Sequence, residues 1–155
     1  MEKKTGGMGN LISYTSRKGE VPCGDSDFYA FLTDMRNFRN VLPGGVLTEW
    51  EATEDNCSFK VENTGRVKAS LEEALPHSVI SYNAETLFTG KISVQVFIEY
   101  ISKNRSSFYI TAGINMNLFI KMLVGDSAGS YLDRVVDEVE AYGGFDSIRG
   151  CSQSL

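Results

Sequence analysis

The sequence predicts an α+β fold in which a curved antiparallel sheet wraps around one long C-terminal helix. Three observations predict it. Near the start, Phe28, Phe31, Leu32 and Met35 fall at i, i+3, i+4 and i+7, the spacing of one helical face. From Val46 the apolar period changes to two and stays there to about Asn117. From Leu118 to Tyr142 the helical period returns, with Leu118, Met122, Ala128, Leu132, Val135, Val136, Val139 and Tyr142 in a single stripe.

The elements follow in order. Residues 1–9 are rich in Gly and Lys, carry no pattern, and are expected to be a flexible end. "NLISYTSRKGEV", about 10–21, is rich in β-branched and aromatic residues and reads as a first strand. Asp25 or Ser26 is placed to cap the helix that follows. A shorter helix presents Phe38, Val41 and Leu42, and "PGG" at 43–45 stops it. Six strands are expected at 46–53, 57–63, 65–75, 78–86, 91–102 and 106–117, which with the first makes seven. The separators "EDN", "NTG", "PH", "TG" and "KNRS" are turn chemistry, and such short connections join antiparallel neighbours. A sheet this long cannot stay flat, so its twist curls it around the last helix. "GGFDSIRGCSQSL", 143–155, is expected to be a second flexible end, leaving a core of about 10–142 within a single domain, 1–155.

Bulk composition narrows the function classes. A length of 155 residues suffices to bury about 70% of the unfolded surface around one core. A net charge of −5, with cations scattered along the chain, argues against a nucleic-acid partner. The opening "MEKKTGGMGNLISY" has no apolar stretch of the kind a secretion signal needs, and "NLFIKMLVG" is too short to span a bilayer. Cys23, Cys57 and Cys151 form no C-x-x-C and are expected to be reduced thiols of a cytoplasmic protein.

The most chemically loaded stretch, "TEWEATEDNCSFKV", gathers four carboxylates, an amide and a thiol around the sole tryptophan. It lacks the glycine and the alternating oxygens of a calcium loop. Zinc would need more thiols or imidazoles, and His77 lies twenty residues beyond Cys57. Glu49 and Glu51 share one strand face and Trp50 takes the other, so the stretch reads as a hairpin whose tip is Glu54, Asp55 and Asn56. No metal and no cofactor is expected.

The alternate strand positions that face the helix are more informative. They are Val67, Ala69 and Leu71; Ile80, Tyr82 and Ala84; Ile92, Val94, Val96, Ile98 and Tyr100; and Phe108, Ile110, Ala112, Ile114 and Met116. None of these sixteen carries a charge or an imidazole. Lys68, Glu72, Glu85, Lys91, Gln95, Glu99 and Thr111 take the opposite face, and Glu73 is expected at the rim near Pro76. General acid–base chemistry needs a titratable group within reach, and burying one unpaired costs several kcal/mol. Tyr82 and Tyr100 are the hydroxyls available to orient a guest. Asp133, Asp137 and Glu140 read as the wet side of the last helix, and His77 as an exposed turn residue.

The order of elements, with "DFYAFLTDMRNFRNVLP" after the first strand, "WEATEDNCSF" across a hairpin and "NMNLFIKMLV" opening the last helix, resembles the START-like superfamily. This group, also called SRPBCC or helix-grip, includes pollen-allergen and polyketide-cyclase-like proteins. The chain looks most like its small single-domain bacterial members, labelled polyketide cyclase or lipid-transport proteins. The resemblance implies a pocket between sheet and helix, walled on the helix side by Met122, Ala128 and Leu132.

Together these observations favour a holder of a small hydrophobic ligand (a lipid, aromatic or isoprenoid fragment) over a catalyst. The expected lining is Trp50, Val67, Ala69, Leu71, Tyr82, Val94, Val96, Ile98, Tyr100, Phe108, Ile110, Ala112, Ile114, Met122, Ala128 and Leu132, and no catalytic residue is assigned. One alternative is a cyclase/aromatase- or hydratase-like enzyme using Tyr82, Tyr100 and Glu73. The other is a protein-interaction or co-chaperone-like module, which would need an apolar outer sheet face.

Overall fold

The computed structural model describes residues 10–42, 47–61, 65–86, 90–116 and 127–147. Its strands are β1 (Asn10–Thr15), β2 (Gly19–Val21), β3 (Leu47–Ala52), β4 (Asn56–Val61), β5 (Gly65–Leu75), β6 (Val79–Thr86), β7 (Gly90–Ser102) and β8 (Arg105–Met116). They form one antiparallel sheet in the order β1-β8-β7-β6-β5-β4-β3, with β2 also paired to β8. Helix α1 (Asp25–Leu32) and a 3-10 turn (Met35–Asn40) sit between β2 and β3. Helix α2 (Ser127–Ala141) and a second 3-10 turn (Gly143–Ser147) close the described chain. This is the expected helix-grip α+β architecture; residues 117–126, expected to open the last helix, lie outside the described residues.

The sheet has eight strands because the first expected strand breaks at Ser16. Thr15 opposes Thr111 and Gly19 opposes Phe108, so four steps on one chain face three on the other. Ser16 bridges the break and is buried. Its backbone N–H donates to the Ile110 carbonyl (2.8 Å), and its Oγ accepts from the Ile110 N–H (2.9 Å) while donating to the Arg17 carbonyl (2.7 Å). A side-chain oxygen thus stands in for a ladder carbonyl, as a buried N–H requires.

The carboxylates expected on the wet side of the last helix are exposed there and also hold this break. Asp133 Oδ1 accepts from the Arg17 backbone N–H (2.9 Å) and Glu140 Oε2 from that of Glu20 (2.8 Å). The Arg17 guanidinium pairs with Asp137 and with Glu140 (2.8 Å). Beneath them α2 packs on β1, β2 and β8, burying Leu132, Val136 and Val139. Gly19 permits the approach, since a Cβ there would lie 2.5 Å from Val136 Cγ1.

Helix α1 buries Phe28, Phe31 and Leu32, and Met35 continues the stripe into the 3-10 turn. Its N-cap is Gly24, with neither of the expected caps in that role. The Lys103 carbonyl occupies the space a Gly24 side chain would need. The tail is corrected as well. Expected to be flexible from 143 onward, the chain turns at Gly143–Ser147 and buries Phe145. The Phe145 ring lies 5.0 Å from Phe31, 5.0 Å from Tyr142 and 6.1 Å from Phe28, closing that end of the grip.

Cysteine chemistry departs from expectation too. Cys23 is buried and disulfide-bonded, while Cys57 is a buried free thiol. Disulfides belong to oxidising compartments, so the cytoplasmic expectation loses the reduced-thiol argument. No described helix is long and apolar enough to cross a membrane.

Candidate functional site

Register assembles the concave wall in rows that run across the strands. Phe59 opposes Val67, and Cys57, Ala69, Ala84 and Ile92 form the next row. Leu71, Tyr82, Val94 and Ala112 form a third, and Ala74, Ile80, Val96 and Ile110 a fourth. Ile98 opposes Phe108 in the last. Burial is graded along these rows. Ile80, Tyr82, Val96, Ile98, Phe108, Ile110 and Ala112 are buried with Leu132, whereas Val67, Ala69, Leu71, Ile92, Val94 and Trp50 are only half-buried. The second group is an apolar surface on β3–β7 and is the candidate binding wall.

Trp50 reaches this wall through a bulge. Thr48 opposes Lys60 and Glu51 opposes Ser58, so β3 carries one extra residue between them. Glu49 absorbs it with φ +54°, a left-handed conformation that a non-glycine residue seldom adopts. Its exposed carboxylate pairs with Arg66, and Trp50 lies flat against Phe59, ring centroids 5.4 Å apart and planes 20° from parallel. The tip beyond is the expected turn. Asp55 Oδ1 accepts from Thr53 Oγ1 (3.1 Å) and Asn56 Nδ2 (2.8 Å), and Glu54, Asp55 and Asn56 are exposed.

The polar groups expected to face a guest do not. Tyr82 is on the wall but buried, and its hydroxyl donates to the Leu32 carbonyl at 2.7 Å. Burial holds its phenol neutral, pushing the pKa well above the usual range. Tyr100, expected inward, is 64% exposed. β7 outruns β6, whose first residue Val79 opposes Phe97, so Tyr100 has no strand neighbour on that side. Glu73 is turned outward by a second bulge. Leu71 opposes Tyr82 but Glu73 opposes Ser81, and Ala74 takes the inner place beside Ile80. Cys57, close to Trp50 in the sheet, has its thiol pushed up to about 11 by burial, which leaves it protonated and unreactive.

Of the expected lining, Met122 lies outside the described residues, as do the side chains of Ile114 and Ala128. The expectation missed Phe59, although its alternate position opposite Trp50 on the hairpin was readable. It also missed Tyr14, brought to the wall opposite Ala112 by the long-range pairing of β1 with β8. Two surface hollows lie elsewhere. One of about 540 Å³ is edged by Lys18, Glu20, Arg105 and Glu140, and one of about 280 Å³ by Asn56, Lys68, Asn83 and Lys91. The charges edging the first are engaged with protein partners: Lys18 with Glu99, Arg105 with Glu20, and Glu140 with Arg17.

No family model matches this chain, and no curated protein matches its sequence. Solved structures do. A START superfamily protein from Mycobacterium smegmatis is 12% identical, with a TM-score of 0.67 over 86% of this chain and 96% of that one. The protein XoxI from Bacillus cereus is 9% identical, with a TM-score of 0.67 over 84% and 95%. Norcoclaurine synthase from Thalictrum flavum is 8% identical, with a TM-score of 0.62 over 84% and 94%. Likeness at such identities concerns backbone architecture. The eight-stranded antiparallel sheet, the paired short helices and the C-terminal helix together give this chain the START-like, helix-grip fold.

Proposed function

We propose that the chain acts as one ligand-holding domain, binding a small hydrophobic molecule of the lipid, aromatic or isoprenoid kind against the concave sheet. The observation that carries this reading is the half-buried, uncharged wall of Trp50, Val67, Leu71, Ile92 and Val94. Water on such a surface is costly. Covering about 200 Å² of it contributes about 5 kcal/mol before ordering costs. The flat Trp50–Phe59 pair suits a planar or ring-bearing guest. A solved structure of norcoclaurine synthase, which shares this fold, is a complex with dopamine and hydroxybenzaldehyde, which supports an aromatic-sized guest.

Storage is favoured over catalysis by the fate of the polar groups. Tyr82 is committed to Leu32, Tyr100 stands in solvent beyond the end of β6, and Glu73 faces the outer side, so the cyclase- or hydratase-like alternative loses the three groups it relied on.

Trp50 is the chain's only tryptophan, so its fluorescence reports directly on the wall. Titration with fatty acids, isoprenols and phenols is expected to shift or quench it, and Val94→Lys to weaken the response at least about tenfold by placing a charge in the apolar site. Native mass spectrometry of the protein incubated with lipid extracts provides a second readout. An unchanged Trp50 spectrum together with no retained species would overturn the proposal.

A further inference from the structure

One end of the grip joins a firm anchor to a weak turn. The anchor is Cys23, which has no exposed surface. Its carbonyl accepts from the Oγ of Ser106 (2.8 Å), itself fully buried near the start of β8. The next residue, Gly24, is the N-cap of α1 and packs on the Lys103 carbonyl. The weak turn is Gly143–Ser147, five 3-10 residues that open on two glycines. Glycine loses the most conformational freedom on ordering, and a single short turn does not hold itself in water. Yet Phe145 in this turn is 1% exposed, seated among Phe28, Phe31 and Tyr142.

Cysteine arithmetic supplies a tether. The chain has three cysteines; Cys23 is in a disulfide and Cys57 is a free thiol, so within one chain the partner of Cys23 is Cys151. A bridge to a second copy would need a sulfur at the surface, and Cys23 has none there. The length of chain suffices. Cys151 stands four residues beyond Ser147 in the sequence, a reach of about 14 Å. Phe145 already lies against Phe28, about one turn into the helix that Cys23 and Gly24 introduce.

We infer that a Cys23–Cys151 bridge is a redox clasp: oxidised, it ties the C-terminal tail to the start of α1 and keeps Phe145 in the aromatic cluster; reduced, it lets the tail go. Closing the clasp is an exchange with a small disulfide such as oxidised glutathione. The S–S bond of the oxidant breaks, the Cys23–Cys151 bond forms, and the hydrogens of the two protein thiols end on the two glutathione sulfurs. The bridge joins residues 128 positions apart, so it removes much of the freedom of the unfolded chain. Such a bond persists in an oxidising compartment and opens in a reducing one. The inference is independent of what the concave wall holds.

Non-reducing tryptic mapping of the full chain tests the pairing. One linked species is expected, residues 19–36 joined to 150–155, that splits into two peptides on reduction. The clasp is tested by opening it in two ways, with a phosphine reductant and with Cys151→Ser. Each should lower Tm by about 5–15 °C and should speed chymotryptic cleavage at Phe145 at least about tenfold. Across glutathione buffers the cleavage rate should track the reduced fraction. Separate 19–36 and 150–155 peptides in the unreduced digest overturn the pairing. A linked chain whose cleavage at Phe145 is unchanged on opening overturns the clasp.

Discussion

Tyr82→Phe separates a structural hydroxyl from a ligand-orienting one. The substitution keeps the ring, which packs edge-on to Phe38 at 5.3 Å, and removes only the donor to the Leu32 carbonyl. Tyr82 is 4% exposed and Leu32 is 5% exposed, so water does not replace the lost partner freely. A buried acceptor left unpaired costs about 1–3 kcal/mol, and the retained ring packing places the expected loss near 1.5 kcal/mol. For a chain of this size that is a fall in Tm of about 3–6 °C. Guanidinium unfolding followed by Trp50 fluorescence should show a lower midpoint with an unchanged slope. A second signature lies at high pH. The folded phenol titrates above its ordinary value near 10, so the folded state retains the proton that the unfolded state releases. Wild-type stability therefore falls as pH rises above about 10, and the variant should lose that component of the decline. Binding of apolar probes should change less than about twofold. If stability holds while probe affinity drops, the hydroxyl faces the guest and the assignment to Leu32 is wrong.

Further predictions follow from the same packing. Gly19→Ala drives a Cβ into Val136 and should destabilise the fold by about 1–3 kcal/mol through displacement of α2, measurable by chemical denaturation. The Arg17 guanidinium holds the Glu140 carboxyl below its usual range, so its stabilisation is present at neutral pH and is lost as pH falls below about 4. These groups are substantially exposed, so the effect is only about 0.5 kcal/mol, and Arg17→Met should shrink the difference in Tm between pH 7 and pH 3, as should added salt. An unaltered pH profile would count against the clamp. Cys57 should resist iodoacetamide at pH 8 in the native state and react once denatured, read as a single mass increment under non-reducing conditions.

What the sequence by itself determined is the set of properties carried by local spacing. Six of the strands lie within a residue or two of expectation, because period-two apolarity and turn chemistry act between near neighbours. The α1 stripe and the uncharged concave wall were legible for the same reason. Tertiary structure decided everything that depends on one extra residue or on a distant partner. A bulge at Glu49 set Trp50 on Phe59, another turned Glu73 out, and the break at Ser16 made two strands of one. Unequal strand lengths left Tyr100 in solvent, and Tyr82's hydroxyl found a carbonyl fifty residues away. Phe145 was drawn into the α1 aromatic cluster out of a segment whose glycines signalled only an end. Alternation says which residues share a face, but bulges, strand ends and long-range hydrogen bonds decide which of them a guest can touch.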